Sequence, residues 1–136
     1  MVIKPFEKDA HYLMVCQWWD GHGFPCIPSN KLPPFGWMSC DDEGPVVAAF
    51  AYLDNGGTGV AMIEWIVANP TVRGPLIVKH LKNLMEFMTT TLHEEFDYDF
   101  ILTTCRHQGL AKLLEKCGFT RTDGNMIHLT KAYPAA

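Results

Sequence analysis

The stretch EWIVANPTVRGPLIVKHLKNLMEFM, residues 64–88, changes its period halfway along. Up to Ala68 it is a β-branched and aromatic run that suits a strand, and Asn69 with Pro70 then interrupts it. From Pro75 onward Ile77, Leu81, Leu84, Met85, Met88 and Leu92 recur on one helical stripe, while Lys79, Lys82, Asn83 and Glu86 fall mostly outside it. The pattern predicts a long, half-buried helix whose first turn holds Pro75, where a missing amide is tolerated. Such a strand–turn–helix either offers the free amides of a helix start to an anion or is a plain crossover.

Working outward, the residues before this stretch read as hairpin-connected strands. VIKPF suits a short strand, and Asp9 opens a helix in which Tyr12, Cys16 and Trp19 share a face and which ends near DGHG. FPCIPSNKLPPF holds four prolines in twelve residues, so it is an extended, shaped loop. GWMSC, PVVAAFAYL and GVAMIEWIVA are three strands joined by DDEG and DNGG, whose residues fit tight turns. Downstream, YDFILTT is a buried strand, HQGLAKLLEK a second amphipathic helix ending at Gly118, and MIHLTKAY a last strand. The order β-α-βββ-α-β-α-β predicts an α/β (α+β) fold with a mixed, mostly antiparallel sheet of about six strands and three main helices.

Composition limits the function. The 136 residues, 48% hydrophobic and 19% charged, suffice for one core, so residues 1–136 are expected to form a single domain. A net charge of −4 and the lack of a basic block disfavour a nucleic-acid surface, which needs clustered cations. No apolar run reaches the roughly 20 residues that span a bilayer. Cys16, Cys26, Cys40, Cys105 and Cys117 are odd in number and lack a close C-x-x-C pair, so they are read as reduced thiols of a cytoplasmic protein. His22 with Cys26, and Cys105 with His107, lack the second pair that a structural zinc site requires, so no metal is expected.

The strand–turn–helix and the later LAKLLEKCGF give the chain its resemblance to the GNAT superfamily of acyl-CoA-dependent N-acyltransferases, over nearly the whole length. Against the family's loop pattern Val-x-Pro-x-x-Arg-Gly-x-Gly-Ile-Gly, residues 68–78 match at Pro70, Arg73, Gly74 and Ile77, with Leu76 and Val78 in place of glycines. Against the family's second motif, Glu115, Gly118 and Phe119 match, His107 stands at an asparagine position, and Leu114 replaces the tyrosine that reprotonates the thiolate.

The resemblance implies an N-acetyltransferase that uses acetyl-CoA as co-substrate, in a cleft between the fourth and fifth strands. Cofactor contacts are then expected from Val67, Ala68, Arg73, Gly74, Pro75, Leu76 and Ile77. Glu64, among apolar neighbours, is the expected base, and His107 the nearest alternative proton donor. The acceptor side is expected in the first helix and proline-rich loop, where Trp18, Trp19 and Phe24 would form an aromatic wall, with Asp20 and His22 as polar handles. The acceptor is a small-molecule or protein amine, and a homodimer is compatible with the pattern.

Brevity, and a loop where a second helix would come, also resemble compact acetyltransferase-like proteins of bacteriophages and prophages. That resemblance implies the alternative, a catalytically inactive binding or virion-assembly component. Leu76 and Leu114 favour the alternative, whereas Arg73, Gly74 and Glu64 favour the enzyme.

Overall fold

A computed structural model describes residues 1–134. The elements run β1 (Val2–Pro5), α1 (Lys8–Gly21), a single 3-10 turn (Ser29–Lys31), β2 (Phe35–Asp41), β3 (Gly44–Leu53), β4 (Val60–Ala68), α2 (Gly74–Glu94), β5 (Phe100–Thr103) and α3 (Gln108–Lys116). The strands form one sheet in the order β1-β2-β3-β4-β5. The first three pairings are antiparallel, and β4 pairs β5 in parallel. Parallel strands need a crossover, and α2 supplies it.

Helices cover both faces of the sheet, which explains why β3 reads as a continuous apolar run. Val46 to Ala51 are all essentially inaccessible, with alternate residues serving opposite layers. On one face Val47, Ala49 and Ile63 meet Leu84, Met85 and Met88 of α2 and Leu113 and Leu114 of α3. On the other, Ala48, Phe50 and Val67 meet Val15, Trp18 and Trp19 of α1. Gly36 lies under the Phe50 ring, where a Cβ would come within 2.6 Å of Phe50 Cδ1, so only glycine fits beneath that side chain.

Two expectations are corrected. MIHLTKAY forms no sixth strand: residues 120–134 make no backbone–backbone hydrogen bond among the described residues, and Ile127 and Leu129 are 81% and 88% exposed. Alternating apolar residues define a strand only when a free edge lies alongside, and this segment lies along none in the single chain. The expectation of five reduced thiols also fails, because Cys16 and Cys26 form a disulfide that ties the proline-rich loop to α1. The signal was obscured by spacing, since a separation of 10 residues spans a helix and a loop rather than a recognisable motif. Among the described residues no helix is long and apolar enough to cross a membrane.

A buried polar pair joins the sheet to α2. His80, 1% exposed, shares a 2.7 Å hydrogen bond with Ser39 Oγ through Nδ1. Burial pushes the imidazole pKa below its ordinary value, with Asp41 opposing that shift. The unfolded chain therefore takes up the proton first, and this contribution to stability is present above the unfolded pKa and lost as pH falls through the folded one. Unfolding free energies from urea titrations between pH about 7.5 and about 5 should fall more steeply for the wild type than for His80→Gln, by up to about 1.4 kcal/mol per pH unit. Separately, thiol titration of the denatured, unreduced chain should count the three free cysteines, Cys40, Cys105 and Cys117, rather than five.

Candidate active site

The site is set by a bulge in β4. Phe50 of β3 faces Glu64, yet Ala48 faces Val67, so β4 carries one more residue than β3 between those points. Trp65 absorbs it with φ of 59°, a left-handed conformation that bulky residues rarely adopt. Side-chain bonds hold it there: the Trp65 indole donates to Tyr52 Oη at 2.7 Å, and Tyr52 donates to the Lys31 carbonyl at 2.7 Å. The bulge bends β4 away from its neighbour, and β5 pairs only Val60–Ile63. Among the described residues no strand pairs with β4 on its β5 side beyond Ile63, and the slot is the length of edge along Trp65–Ala68 that this leaves without a ladder.

Glu64 sits where the two strands part. The Thr104 hydroxyl donates to its carboxylate oxygens at 3.1 and 3.2 Å. Burial raises the Glu64 pKa, against the lowering influence of the Thr104 hydrogen bonds and of nearby His128. The result is a half-buried carboxylate poised to exchange a proton nearer neutrality than an exposed glutamate would. By alternation Tyr52, Met62 and Leu102 share its face, and with Trp65 they form an open apolar shelf, each 36–40% exposed. Sequence reasoning missed these shelf residues. Alternation from Glu64 along the paired strands would have found Tyr52 and Met62.

At the far end of the slot lies the start of α2. Arg73 is its N-cap residue without a side-chain cap, and Pro75 has no amide to give. The amides of Leu76 and Ile77 both donate to the Arg73 carbonyl at 3.1 Å. Of the first four helical residues, Gly74 alone keeps an amide with no backbone partner among the described residues. A Cβ on Gly74 would meet nothing within 4 Å, so the backbone of this turn is uncovered on its side-chain side. A cavity of about 670 Å³ beside this turn is lined by Arg73, Leu76 and Lys79, but also by Asp41 and Glu43 of the β2–β3 turn. Those carboxylates offset part of the positive charge that Arg73 and Lys79 bring to the turn.

The expected residues divide into two groups. Glu64, Val67, Ala68, Arg73, Gly74, Pro75, Leu76 and Ile77 follow one another along the bulged strand and the helix start. Trp18 and Trp19 are only 5% and 4% exposed within the α1 layer, so their rings form no acceptor wall. Their helical spacing from Val15 serves the core instead. Asp20 and Phe24 lie exposed near the end of α1. His22 Nε2 bonds the Ala68 carbonyl at 2.8 Å and so anchors α1 to the end of the slot. His107 caps α3, its Nδ1 accepting the Leu110 amide at 3.3 Å.

No family model and no curated protein matches this sequence. Solved structures match over almost the full chain. A candidate acetyltransferase from Agrobacterium tumefaciens strain C58 superposes with a TM-score of 0.70 at 14% identity, covering 96% of this chain and 100% of that one. The aminoglycoside N-acetyltransferase AAC(6')-Iy, bound to the bisubstrate analogue CoA-S-monomethyl-acetylneamine, gives 0.64 at 15% identity, with 96% and 98% covered. A GNAT family acetyltransferase from Streptococcus pneumoniae TIGR4 gives 0.60 at 12% identity, again with 96% and 98% covered. The chain therefore has the fold of the GNAT acetyltransferases. Five strands carry that fold here, where the sequence pattern predicted about six.

Removing the Thr104 donor tests the electrostatics of the site without reference to any ligand. Thr104→Val should raise the Glu64 pKa further, because the hydroxyl now favours the charged form. Carboxyl-detected NMR titration checks this, and an unchanged Glu64 midpoint would contradict the assigned contact.

Proposed function

We propose that the chain is an acetyl-CoA-dependent N-acetyltransferase that takes an amine acceptor at the Glu64 end of the β4 slot. The observation that carries this reading is the unpaired edge of β4 beyond left-handed Trp65. An extended, amide-bearing arm such as pantetheine can add to that edge as a short strand, which delivers its thioester beside Glu64.

Each step then falls to residues of this chain. The Gly74 amide and the charges of Arg73 and Lys79 would hold the cofactor's phosphates at the start of α2, with Pro75 contributing shape but no donor. A β4 amide near Val67 and Ala68 would polarise the acyl carbonyl as negative charge develops on its oxygen. The acceptor ammonium loses its proton to Glu64, directly or through a water, and the freed lone pair attacks the carbonyl carbon. Collapse of the tetrahedral adduct expels the CoA sulfur as thiolate, and the extra proton on the adduct nitrogen passes to that thiolate or to water, leaving the neutral amide. Leu114 is buried at 3% exposure and supplies no proton, but a thiol of pKa about 8.5 leaves as thiolate near neutral pH. Because Glu64 must be ionised to act, turnover should rise as pH climbs through its raised pKa. The Tyr52, Met62, Trp65 and Leu102 shelf suits the apolar part of a small-molecule or protein acceptor.

Calorimetric titration with acetyl-CoA and CoA tests the reading. Micromolar affinity is expected, with loss of binding in Gly74→Asp, which sets bulk and negative charge at the free amide. Glu64→Gln should keep that affinity and lose about 10²–10⁴ in kcat with a responsive amine. Absence of binding at millimolar cofactor would favour the non-catalytic alternative, a binding component on the same fold, which the engaged Leu76 amide and buried Leu114 support.

A further inference from the structure

We infer that the amine acceptor is a small monoamine whose nitrogen stands a few carbons from one flat, apolar body, and that this body lies on the bare half of the sheet beside Glu64. This acceptor class rests on the role proposed for Glu64 and names its substrate more narrowly.

The bare half follows from the strand register. Phe50 pairs with Glu64 and is buried in the α1 layer, so Glu64 belongs to the α1 face of the sheet. Alternation adds Tyr52, Met62, Leu102 and Phe100 to that face, since Tyr52 and Leu102 both pair with Met62 and Phe100 lies two residues before Leu102. The α1 layer covers Met38, Ala48 and Phe50 but stops short of these four residues, which are 36–57% exposed. The C-terminal segment brings His128 near enough to act on Glu64, yet it leaves them bare.

Spent polar tips make this surface selective. Tyr52 Oη donates to the Lys31 carbonyl and accepts the Trp65 indole N–H, so the two rings offer mainly their faces. Met62, Leu102 and Phe100 carry no strong hydrogen-bonding group. The hydroxyls of a sugar laid here would lose water and gain few partners, which costs binding. An aromatic or alkyl body loses little and buries apolar area.

Charge selects the other end of the ligand. Glu64 forms no ion pair among the described residues, where Arg121 and Glu115 make the single salt bridge. Thr104 donates to its carboxylate, so a cationic partner has to arrive with the ligand. A second ammonium finds no carboxylate close by. The next acid in register, Asp54, lies four residues beyond Phe50, about 13 Å along β3, and already accepts the Thr58 amide and hydroxyl. An amine that also bears a carboxylate would set like charge beside Glu64. Met62 lies about 6.6 Å from Glu64 along β4, so a spacer of about two or three carbons sets the nitrogen at the carboxylate and the body over Met62.

The probe is 2-phenylethylamine, titrated by calorimetry with and without saturating CoA, at a pH above the Glu64 midpoint. It should bind on the order of tenfold more tightly than glucosamine, 1,4-diaminobutane or 2-phenylethanol, the last of which keeps the body and lacks the charge. Glu64→Gln should erase the preference for the amine over the alcohol while keeping the alcohol's affinity. Met62→Glu, at an exposed position, sets a second carboxylate at the spacing of a short diamine and should reverse the order of 2-phenylethylamine and 1,4-diaminobutane. Glucosamine or the diamine binding the wild type as well as 2-phenylethylamine does, or no probe binding in either condition, would overturn the acceptor class. Acetyl-CoA affinity separates the two possible failures. Cofactor bound without preference among the amines sinks the acceptor class alone, whereas 2-phenylethylamine bound by a chain with no cofactor affinity sinks the transferase reading and keeps the amine site.

Discussion

The left-handed turn of Trp65 is the constraint on which the site depends. A bulky residue at positive φ costs about 1–2 kcal/mol, so something must hold it. The chain of bonds from the Trp65 indole through Tyr52 to the Lys31 carbonyl does so, and each bond contributes roughly 1 kcal/mol. The opposing terms are of similar size, so the bulge persists as part of a cooperative fold rather than as a local preference. Its geometric effect is larger than its energy. One extra residue turns β4 off the line of β5, and that divergence opens a slot in a sheet that would otherwise be closed.

The rest of the fold keeps the slot open and aligned. β3 lies between two helical layers with alanine at positions 48, 49 and 51, so both layers approach the sheet closely. The end of α1 meets the start of the β4–α2 connection: a Cβ on Gly21 would lie 2.8 Å from Pro70 Cγ, and His22 bonds the Ala68 carbonyl. The end of the first helix and the start of the β4–α2 connection are thus braced against one another. Movement at one end is transmitted by contact rather than through a flexible joint.

The strand–turn–helix of residues 64–88 was legible because its period changes from 2 to 3.6 over a marked boundary, and the hairpins because Asp, Asn and Gly cluster between apolar runs. Glu64 was legible as a carboxylate among apolar neighbours. The bulge was not, since nothing in EWIVA marks tryptophan as left-handed; that assignment comes from Tyr52 and Lys31, 13 and 34 positions away in the chain. The burial of Trp18 and Trp19 was misread because two adjacent large aromatics resemble a binding wall as much as a core, and only the closeness of Phe50 and Val67 decides between them. Local pattern likewise identified MIHLTKAY as strand-like, but a strand is a relation between two segments, and the second segment is not encoded nearby.

The proline-rich loop carries a different consequence. Its four prolines restrict the unfolded chain as well as the folded one, and the Cys16–Cys26 bridge, the Lys8 bond to the Ser29 carbonyl and the Tyr12 bond to the Ile27 carbonyl fasten it along α1. A surface of 12 residues without a strand or an α-helix is therefore held in one shape by a covalent bridge and side-chain bonds rather than by a backbone ladder. Chemical reduction of the bridge would restore freedom to that loop, which ties its rigidity to the thiol balance of the surroundings.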